Sequence, residues 1–560
     1  MSIFLQMKTR LLFKFLPAKA RTSAAAKRSL YIVTAATVGF LSLNDYNHLF
    51  STSPFSHATE FPLLYAVVRC SRALFTISLN VADYKYSLHG LSAQSDEYRN
   101  VLSQVHLRSA KRILKLCETN RGFYVKAGQF AAAIRQVPKE YSSTLSSLQD
   151  QSAPCQFNVI KDLLVNSLGQ ELSEIFISFD EQPIAAASIA QVHHAVLKDH
   201  QRVAVKVQYP GLEDQMKFDL ATMSFLSNSV AWFFPEYRFG WLVSEFGKSI
   251  SSELDFIQEA KNSQRVATNF QHSRKVRVPH VFWDLTTTQV LTMEFCKGQK
   301  VDDLKYLEQV GIDPIKVAKA LTEVVAEMVF IHGFLHGDLH PGNILVSAKG
   351  QNDFSLVLLD FGICRELDES FRLNYCKLWK ALIFMNSRKI EQLSEQMGVG
   401  KYSRYFPVLF MGRPLDSKTA IGKEMSVEEK NILKQELKSL KMDLSTVMES
   451  LPPDFLTVLR TDGLLVSLIS KLGAPRKVRM QSYAKYALYG ISTEKKSDST
   501  IKSVICKFET GIQIFQIRLL FDILQFLALL EDYKVSFTKR FRELVISAGS
   551  VVRNSFLQFL

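Results

Sequence analysis

The chain has 560 residues, 47% of them apolar and 22% charged, with a formal net charge of +14. That length suits two or three domains, or one large domain with extensions, and the composition is that of a folded protein. The seven cysteines (70, 117, 155, 296, 364, 376 and 506) are odd in number, scattered and free of any C-x-x-C pair, which argues against a disulfide framework and against a zinc site and leaves reduced thiols as the default.

Seven cations lie in the first 28 residues, at Lys8, Arg10, Lys14, Lys19, Arg21, Lys27 and Arg28, and no acid precedes Asp45. A nucleic-acid binder spreads its cations over a folded face, so no nucleic-acid partner is expected. Phe4, Leu5, Leu11, Leu12, Phe15 and Leu16 alternate with those cations at near-helical spacing. An amphipathic, acid-free lead of this kind reads as a mitochondrial presequence over residues 1–29; a disordered basic tail is the alternative. Leu30 to Leu43 carries no charge but is only fourteen residues long. A spanning helix needs roughly twenty, so residues 30–46 are a candidate membrane anchor, a membrane-surface helix or a buried one.

Residues 60–150 read as a helical N-terminal extension, with clear periodicity from Arg108 to Cys117. Lys126 and Gln129 are three apart and share a helix face; taken alone, they read as a snorkelling lysine and a surface amide. Strands follow at Ile175–Phe179, Ile189–Val196 and Arg202–Gln208. In the last of these Val203, Val205 and Val207 point one way and Ala204 and Lys206 the other. A lysine so placed, after a loop of small residues, is the arrangement that pairs with nucleotide phosphates in kinase folds. The loop itself is Ile184, Ala185, Ala186, Ala187, Ser188, Ile189, Ala190, Gln191 and Val192, and no glycine occurs between Gln170 and Pro210. Glycine-rich loops let backbone N–H groups approach phosphates closely, so the nucleotide contacts here should differ from those of an ordinary protein kinase.

A helix is expected from Ser251 to Ala260. Asp255 and Glu259 share a face on it and Glu253 sits on another; Glu259 is the better placed to pair with Lys206. Val290 to Gly298, with Glu294 and Cys296, reads as a strand running into a hinge whose backbone would meet an adenine edge. A long helix over 315–333 delivers the chain to Leu335-His336-Gly337-Asp338-Leu339-His340-Pro341-Gly342-Asn343, and Asp360-Phe361-Gly362 follows. This spacing suits phosphoryl transfer. Asp338 would accept or orient a hydroxyl proton, Asn343 would hold a divalent metal, and Asp360 would bridge that metal to the phosphates. Ile344–Val346 and Leu356–Leu359 read as a hairpin that brings Asn343 and Asp360 to one end. After Asp360 only helices are expected, with breaks near Arg413–Lys423 and Ser492–Thr500. No A-P-E motif follows before the helix Phe371–Phe384, which leaves little room for a peptide-docking segment. Ile512–Leu530 is apolar but carries Arg518 and Asp522, which suits a packed helix better than a membrane span.

Taken together, Lys126-Ala127-Gly128-Gln129 (K-x-G-Q), the alanine-rich loop, Val205-Lys206, Glu253-Leu254-Asp255 (E-x-D), His336 to Asn343 and Asp360-Phe361-Gly362 resemble the UbiB/aarF-domain family of atypical, protein-kinase-like proteins, over roughly residues 70–480. The resemblance implies an α+β, two-lobed, protein-kinase-like fold with a small β-rich N-lobe (151–297), a helical C-lobe (298–480), the helical extension at 60–150 and a C-terminal helical extension at 481–560. It implies ATP or ADP with Mg2+ bound between the lobes. Lys126 and Gln129 become site residues, with Glu253 and Asp255 as their polar partners and Glu259 as the mate of Lys206. It further implies an atypical kinase or ATPase at the mitochondrial inner membrane that supports lipid or quinone homeostasis and cristae structure, with a lipid or isoprenoid-quinone-related molecule as partner and no protein partner specified. Two alternatives remain open: a small-molecule kinase of the aminoglycoside or choline type, whose catalytic loop is similar to 336–343, and a pseudokinase scaffold.

Overall fold

The computed structural model describes residues 62–92, 95–133, 137–150, 154–234, 240–350, 353–412, 451–494 and 508–520, with 522, 523, 526 and 530. The expected presequence, the candidate anchor, the break at 413–423 and residues 495–500 of the second break lie outside them. Among the described residues no helix is long and apolar enough to cross a membrane.

The chain divides into two compact units. Residues up to Arg265, joined by Pro279–Cys296, form the first; Val266–Val278 and the chain from Lys297 onward form the second.

The first unit begins with helices α1 (Pro62–Ser87), α2 (Asp96–Asn120), α3 (Phe123–Ala133), α4 (Lys139–Leu145) and α5 (Phe157–Leu168). The start of α2 is set by Ser95, whose hydroxyl accepts from Tyr98 N, and by Asp96 and Glu97 in the positive first turn. Strands β1 (Phe176–Phe179), β2 (Ala185–Ala186), β3 (Ala190–Leu197) and β4 (Arg202–Gln208) follow, then α6 (Leu212–Phe233), α7 (Gly240–Glu253) and α8 (Phe256–Asn269). Strand β5 (Val276–Arg277) belongs to the second unit, and β6 (Val290–Glu294) completes the first sheet in the order β1-β3-β4-β6, with β2 paired to β3. All of its pairings are antiparallel. Val203, Val205 and Val207 are fully buried against a core that includes Ile250, Phe256 and Ala260. The helical extension is pinned to this unit by an ion pair without solvent access. Arg69 on α1 donates from Nε to Asp219 Oδ1 at 3.1 Å and from Nη2 to Oδ2 at 2.5 Å, and its Nη1 caps the Asn120 carbonyl.

In the second unit, β7 (Gln299–Lys300), β9 (Ile344–Gly350) and β10 (Asp353–Leu358) join β5 in a sheet of order β5-β10-β9-β7, and β8 (Phe334–His336) pairs with β11 (Cys364–Glu366). Helices α9 (Leu304–Gln309), α10 (Pro314–Glu327), α11 (Glu369–Ile383), α12 (Ser387–Gln396), α13 (Pro453–Lys471) and α14 (Arg476–Glu494) surround them. The core is aromatic: Phe330, Tyr375, Trp379, Phe410, Phe455 and Tyr483 are all buried.

Three local expectations change. The helix expected over 251–260 is two helices: α7 ends at Glu253, and Asp255 caps α8 by accepting from Gln258 N at 3.1 Å, while Phe256 N is taken by Thr288 O at 3.2 Å. Asp255 therefore does not share a helix face with Glu259. The helix over 315–333 is α-helical only to Glu327 and then widens into a π turn, Met328–His332, closed by Gly333 at φ 59°. The freed Phe330 carbonyl accepts from an Arg372 guanidinium N–H. Beyond Asp360 the chain is not all helix, because β11 returns to pair with β8 before Asp368 caps α11.

Candidate functional site

In the first unit the central strand β4 is packed on both faces, and Lys206 sits opposite Val192 on β3 and Leu291 on β6. Its Nζ lies 2.8 Å from Glu259 Oε1 and 2.9 Å from Oε2. The Glu259 side chain is 2% exposed and that of Lys206 11%, so this is a buried, two-pronged pair. The ammonium also stands 5.0 Å from the centre of the Phe256 ring, at the first residue of α8. The start of α8, fixed by the Asp255 cap, thus sets both the ring and the carboxylate around Lys206.

Lys126 on α3 reaches Glu253 at the end of α7, Nζ to Oε2 2.9 Å. Gln129 donates to the Leu148 carbonyl at 2.9 Å, and Asp255 serves as the helix cap. Of the four residues grouped by the K-x-G-Q and E-x-D segments, Lys126 and Glu253 pair with each other, while Gln129 and Asp255 bond to backbone.

The alanine-rich loop is a tight hairpin. Ala185 faces Val192 and Ala186 faces Gln191 across it, and Ala187 N donates to Ala190 O at 2.8 Å. Ile184, Ala185 and Ala187 are exposed, whereas Ser188, Ile189, Ala190 and Gln191 are buried. Gln191 does not reach toward a ligand: its Oε1 accepts from Cys155 N at 2.7 Å and its Nε2 meets His193 Nε2 at 2.8 Å. The His193 Nδ1 lies 2.7 Å from the Asp180 carbonyl, which makes Nδ1 the donor and Nε2 the acceptor, and burial pulls its pKa below the ordinary histidine value. At the expected hinge, Glu294 N donates to His280 O at 2.8 Å and Phe295 N to Arg202 O at 3.0 Å, and the Cys296 thiol is half-buried.

In the second unit, β9 and β10 run antiparallel with Ile344 opposite Leu358, and Leu359 N donates to Asn343 O at 2.8 Å. The open end of this hairpin carries Asn343 and, two residues past β10, Asp360. Asn343 Nδ2 donates to the Asp338 carbonyl at 3.1 Å and to its Oδ2 at 3.3 Å. That fixes which way the amide is turned, and its oxygen is the group suited to a cation. Asp360 holds φ 56°, the left-handed region that costs a side chain energy but that aspartate tolerates better than most, and its Oδ1 accepts from Gly362 N at 3.3 Å.

The Asp338 loop is clamped by a residue to which the motif spacing gives no role. His336 is fully buried; its Nε2 donates to the Leu359 carbonyl at 3.0 Å and its Nδ1 accepts from Asp338 N at 3.2 Å. One imidazole therefore ties the Asp338 loop to the residue before Asp360. The only sequence signal was a histidine closing an apolar run two residues before an acid. Gly337 is needed beside it, because a Cβ there would stand 2.7 Å from Ile363 Cγ2 and 3.0 Å from Ile363 O. Among the described residues no three His, Cys, Asp or Glu side chains converge. One carboxylate with one amide is instead the sparse donor set a magnesium ion accepts when nucleotide phosphates and water complete its shell.

This constellation on an α+β scaffold defines an atypical, kinase-like protein. The ABC1 atypical kinase-like domain profile matches residues 147–394. AarF domain-containing protein kinase 1 of Xenopus laevis is 38% identical over 449 residues, 79% of this chain and 85% of that protein. The Mus musculus protein of the same name is 35% identical over 462 residues, 81% of this chain and 88% of that one. AarF domain-containing kinase 1 of Drosophila melanogaster is 32% identical over 454 residues, 79% and 88%. The chain belongs to the ABC1/AarF family of atypical kinase-like proteins.

Proposed function

We propose that this chain binds a magnesium nucleotide and transfers or hydrolyses its terminal phosphoryl group. The observation that carries this reading is the hydrogen bond by which Asp338 turns the Asn343 amide, at the same hairpin end that holds Asp360 in a left-handed backbone. Asn343 Oδ1 and Asp360 would hold Mg2+, Lys206 held by Glu259 would face the phosphates, and Asp338 would orient the attacking hydroxyl or water. Bound Mg2+ would neutralise the charge that develops on the phosphates. The loop contacts would come from the hairpin tip at Ala185 to Ala187, without the close approach glycine permits.

Only six residues, 363–368, separate Gly362 from α11, and three of them are used in β11. No platform for an extended peptide is built there, which favours water or a small molecule as acceptor over a protein chain. In the cell the reading extends to a mitochondrial protein that supports lipid or quinone balance and cristae shape; the motive is the acid-free basic lead together with the family. Deleting residues 2–28 should leave the protein cytosolic, and unchanged import would remove that part of the proposal.

The catalytic test is magnesium-dependent nucleotide turnover by the purified protein beside its Asp338→Asn and Asp360→Asn variants. Both should lose turnover. Equal rates in all three would overturn the enzyme reading and leave a scaffold.

A further inference from the structure

Two polar residues of β3, Gln191 and His193, are fully buried, touch none of the groups assigned to the chemistry above, and are wired in one direction. The Asp180 carbonyl can only accept, so His193 Nδ1 donates to it at 2.7 Å. The neutral ring then has one lone pair left, on Nε2, and there it accepts from Gln191 Nε2 at 2.8 Å. The Gln191 oxygen is thereby turned away from the ring, and it accepts from Cys155 N at 2.7 Å. The three bonds share one polarity. Reversing the first would set a bare acceptor against the Asp180 carbonyl and a donor against the Gln191 amide nitrogen. The amide would have to turn over, and its nitrogen would then meet the Cys155 N–H.

This wire runs beneath the alanine-rich hairpin. Gln191 faces Ala186 at its base, and β2 gives the hairpin only two paired residues, Ala185 and Ala186. Cys155 stands two residues before α5 begins at Phe157. The Gln191 side chain therefore fastens the floor of the hairpin to the start of α5. Around the imidazole the walls are apolar: the Phe157 ring on α5 lies 5.9 Å away between centroids and the Phe179 ring on β1 5.1 Å, and Val205 is its partner on β4. Among the described residues the charge whose field reaches the ring is that of Asp180, and burial keeps the Cys155 thiol protonated. Nothing else on the page competes with the two hydrogen bonds for the orientation of the ring.

We propose that His193 and Gln191 are positioning residues for the nucleotide: the imidazole aims the Gln191 amide, and the amide holds the alanine-rich hairpin in the conformation that meets the phosphates. The role rests on the nucleotide reading above and adds to it the pair that prepares the loop. Neither side chain touches the ligand. Their contribution is pre-organisation, because a hairpin with so little strand pairing of its own, if left loose, must be ordered at the moment of binding and loses affinity for it. Alanine methyls restrict the loop from within, and the wire restricts it from below.

The test is the affinity of the full chain for Mg-ADP by calorimetry, in the parent, His193→Phe, His193→Gln, Gln191→Leu and the double variant His193→Phe with Gln191→Leu. Phenylalanine keeps a ring between Phe157 and Phe179 but gives Gln191 no acceptor; glutamine can offer an amide oxygen in place of Nε2. His193→Phe and Gln191→Leu should each bind at least about fivefold more weakly than the parent, the worth of one hydrogen bond. His193→Gln should recover most of that loss. Because both residues act through one wire, the double variant should bind no more weakly than Gln191→Leu alone. Nitrogen NMR of the labelled histidines reads the wire directly and needs no variant: at about pH 7.5, above the ordinary histidine range, His193 should carry its proton on Nδ1. A proton on Nε2 overturns the wire. Parent-like affinity in His193→Phe, or losses that simply add in the double variant, overturns the positioning role while nucleotide binding stands. His193→Gln as weak as His193→Phe overturns the aiming step. A parent that binds no Mg-ADP at all removes the nucleotide reading itself, and this role with it, whatever the tautomer.

Discussion

Asp360 carries two burdens that substitutions can separate. Its backbone sits at φ 56°, and its carboxylate caps the turn by accepting from Gly362 N at 3.3 Å. Asparagine tolerates the left-handed region and can keep that acceptor, so Asp360→Asn should cost little stability. Alanine loses both: about 1 kcal/mol for a Cβ in a left-handed backbone and about 1 kcal/mol for the hydrogen bond, so about 2 kcal/mol in sum. Glycine loses the hydrogen bond but fits the backbone, and should fall between. For units of this size 1 kcal/mol is worth roughly 2–4 °C, so Asp360→Ala should unfold some 4–8 °C below the parent. The second burden, on the proposed reading, is metal binding. A magnesium nucleotide at a hundred times its Kd should raise the stability of the parent protein by about 2.7 kcal/mol. That gain should vanish in all three variants, whatever their starting stability. The assay is thermal unfolding with and without Mg-ATP, scored as two separate differences. Equal stability of the Ala and Asn variants would refute the strain argument; a nucleotide shift that survives in the Asn variant would refute the metal role.

Asp219→Ala leaves the Arg69 guanidinium buried without its carboxylate and should destabilise the first unit by about 3–5 kcal/mol, whereas Arg69→Met combined with Asp219→Leu should recover most of that loss in chemical denaturation. Gly337→Ala forces a methyl against Ile363 and should cost about 1–3 kcal/mol and lower turnover through the Asp338 loop; unchanged stability and activity would show that the close approach relaxes freely. His193 is buried and neutral, with its folded pKa depressed. Below about pH 6.5 the unfolded chain takes up the proton first, so the stability this residue supports is full above that pH and falls as the pH drops from there toward the folded value. The stability gap between the parent and His193→Gln should therefore shrink between about pH 7.5 and about pH 5.5; a constant gap would refute the assignment.

The strand that carries Lys206 was legible to its ends, because alternating valines bounded by Arg202 and Gln208 leave one periodicity open. The hairpin from Ile344 was legible as two short continuous apolar runs, 344–346 and 356–359, although its strands are longer, Ile344–Gly350 and Asp353–Leu358. Elsewhere the sequence held signals that were read past. Asp255-Phe256-Ile257-Gln258 is an acid followed three residues later by a glutamine, a capping-box pattern, and it marks the break between α7 and α8 inside a run that otherwise looks like continuous helix. Gln191 and His193 share the inward side of β3 with Ala195 and Leu197, a period-two signal that places the glutamine in the core. Strand β11 could not be read from Cys364-Arg365-Glu366 alone, since three residues have no period and their pairing with β8 is a long-range choice. In the helix over 508–520, Ile514 and Ile517 pack on the core while Phe508, Ile512 and Phe515 stay exposed, a split that apolar spacing alone does not assign.

The π turn at Met328–His332 is one residue threaded into a helix without changing where the helix goes. A turn of this kind holds one residue more than an α turn yet advances by nearly the same rotation and rise, so removing one of the five would return the backbone to the regular form and leave the chain at Gly333 on nearly its present course. What the extra residue supplies is the released Phe330 carbonyl that the Arg372 guanidinium holds. A single-codon deletion here would therefore cost the tie between this helix and α11 while β8 and the His336 imidazole kept their bearing.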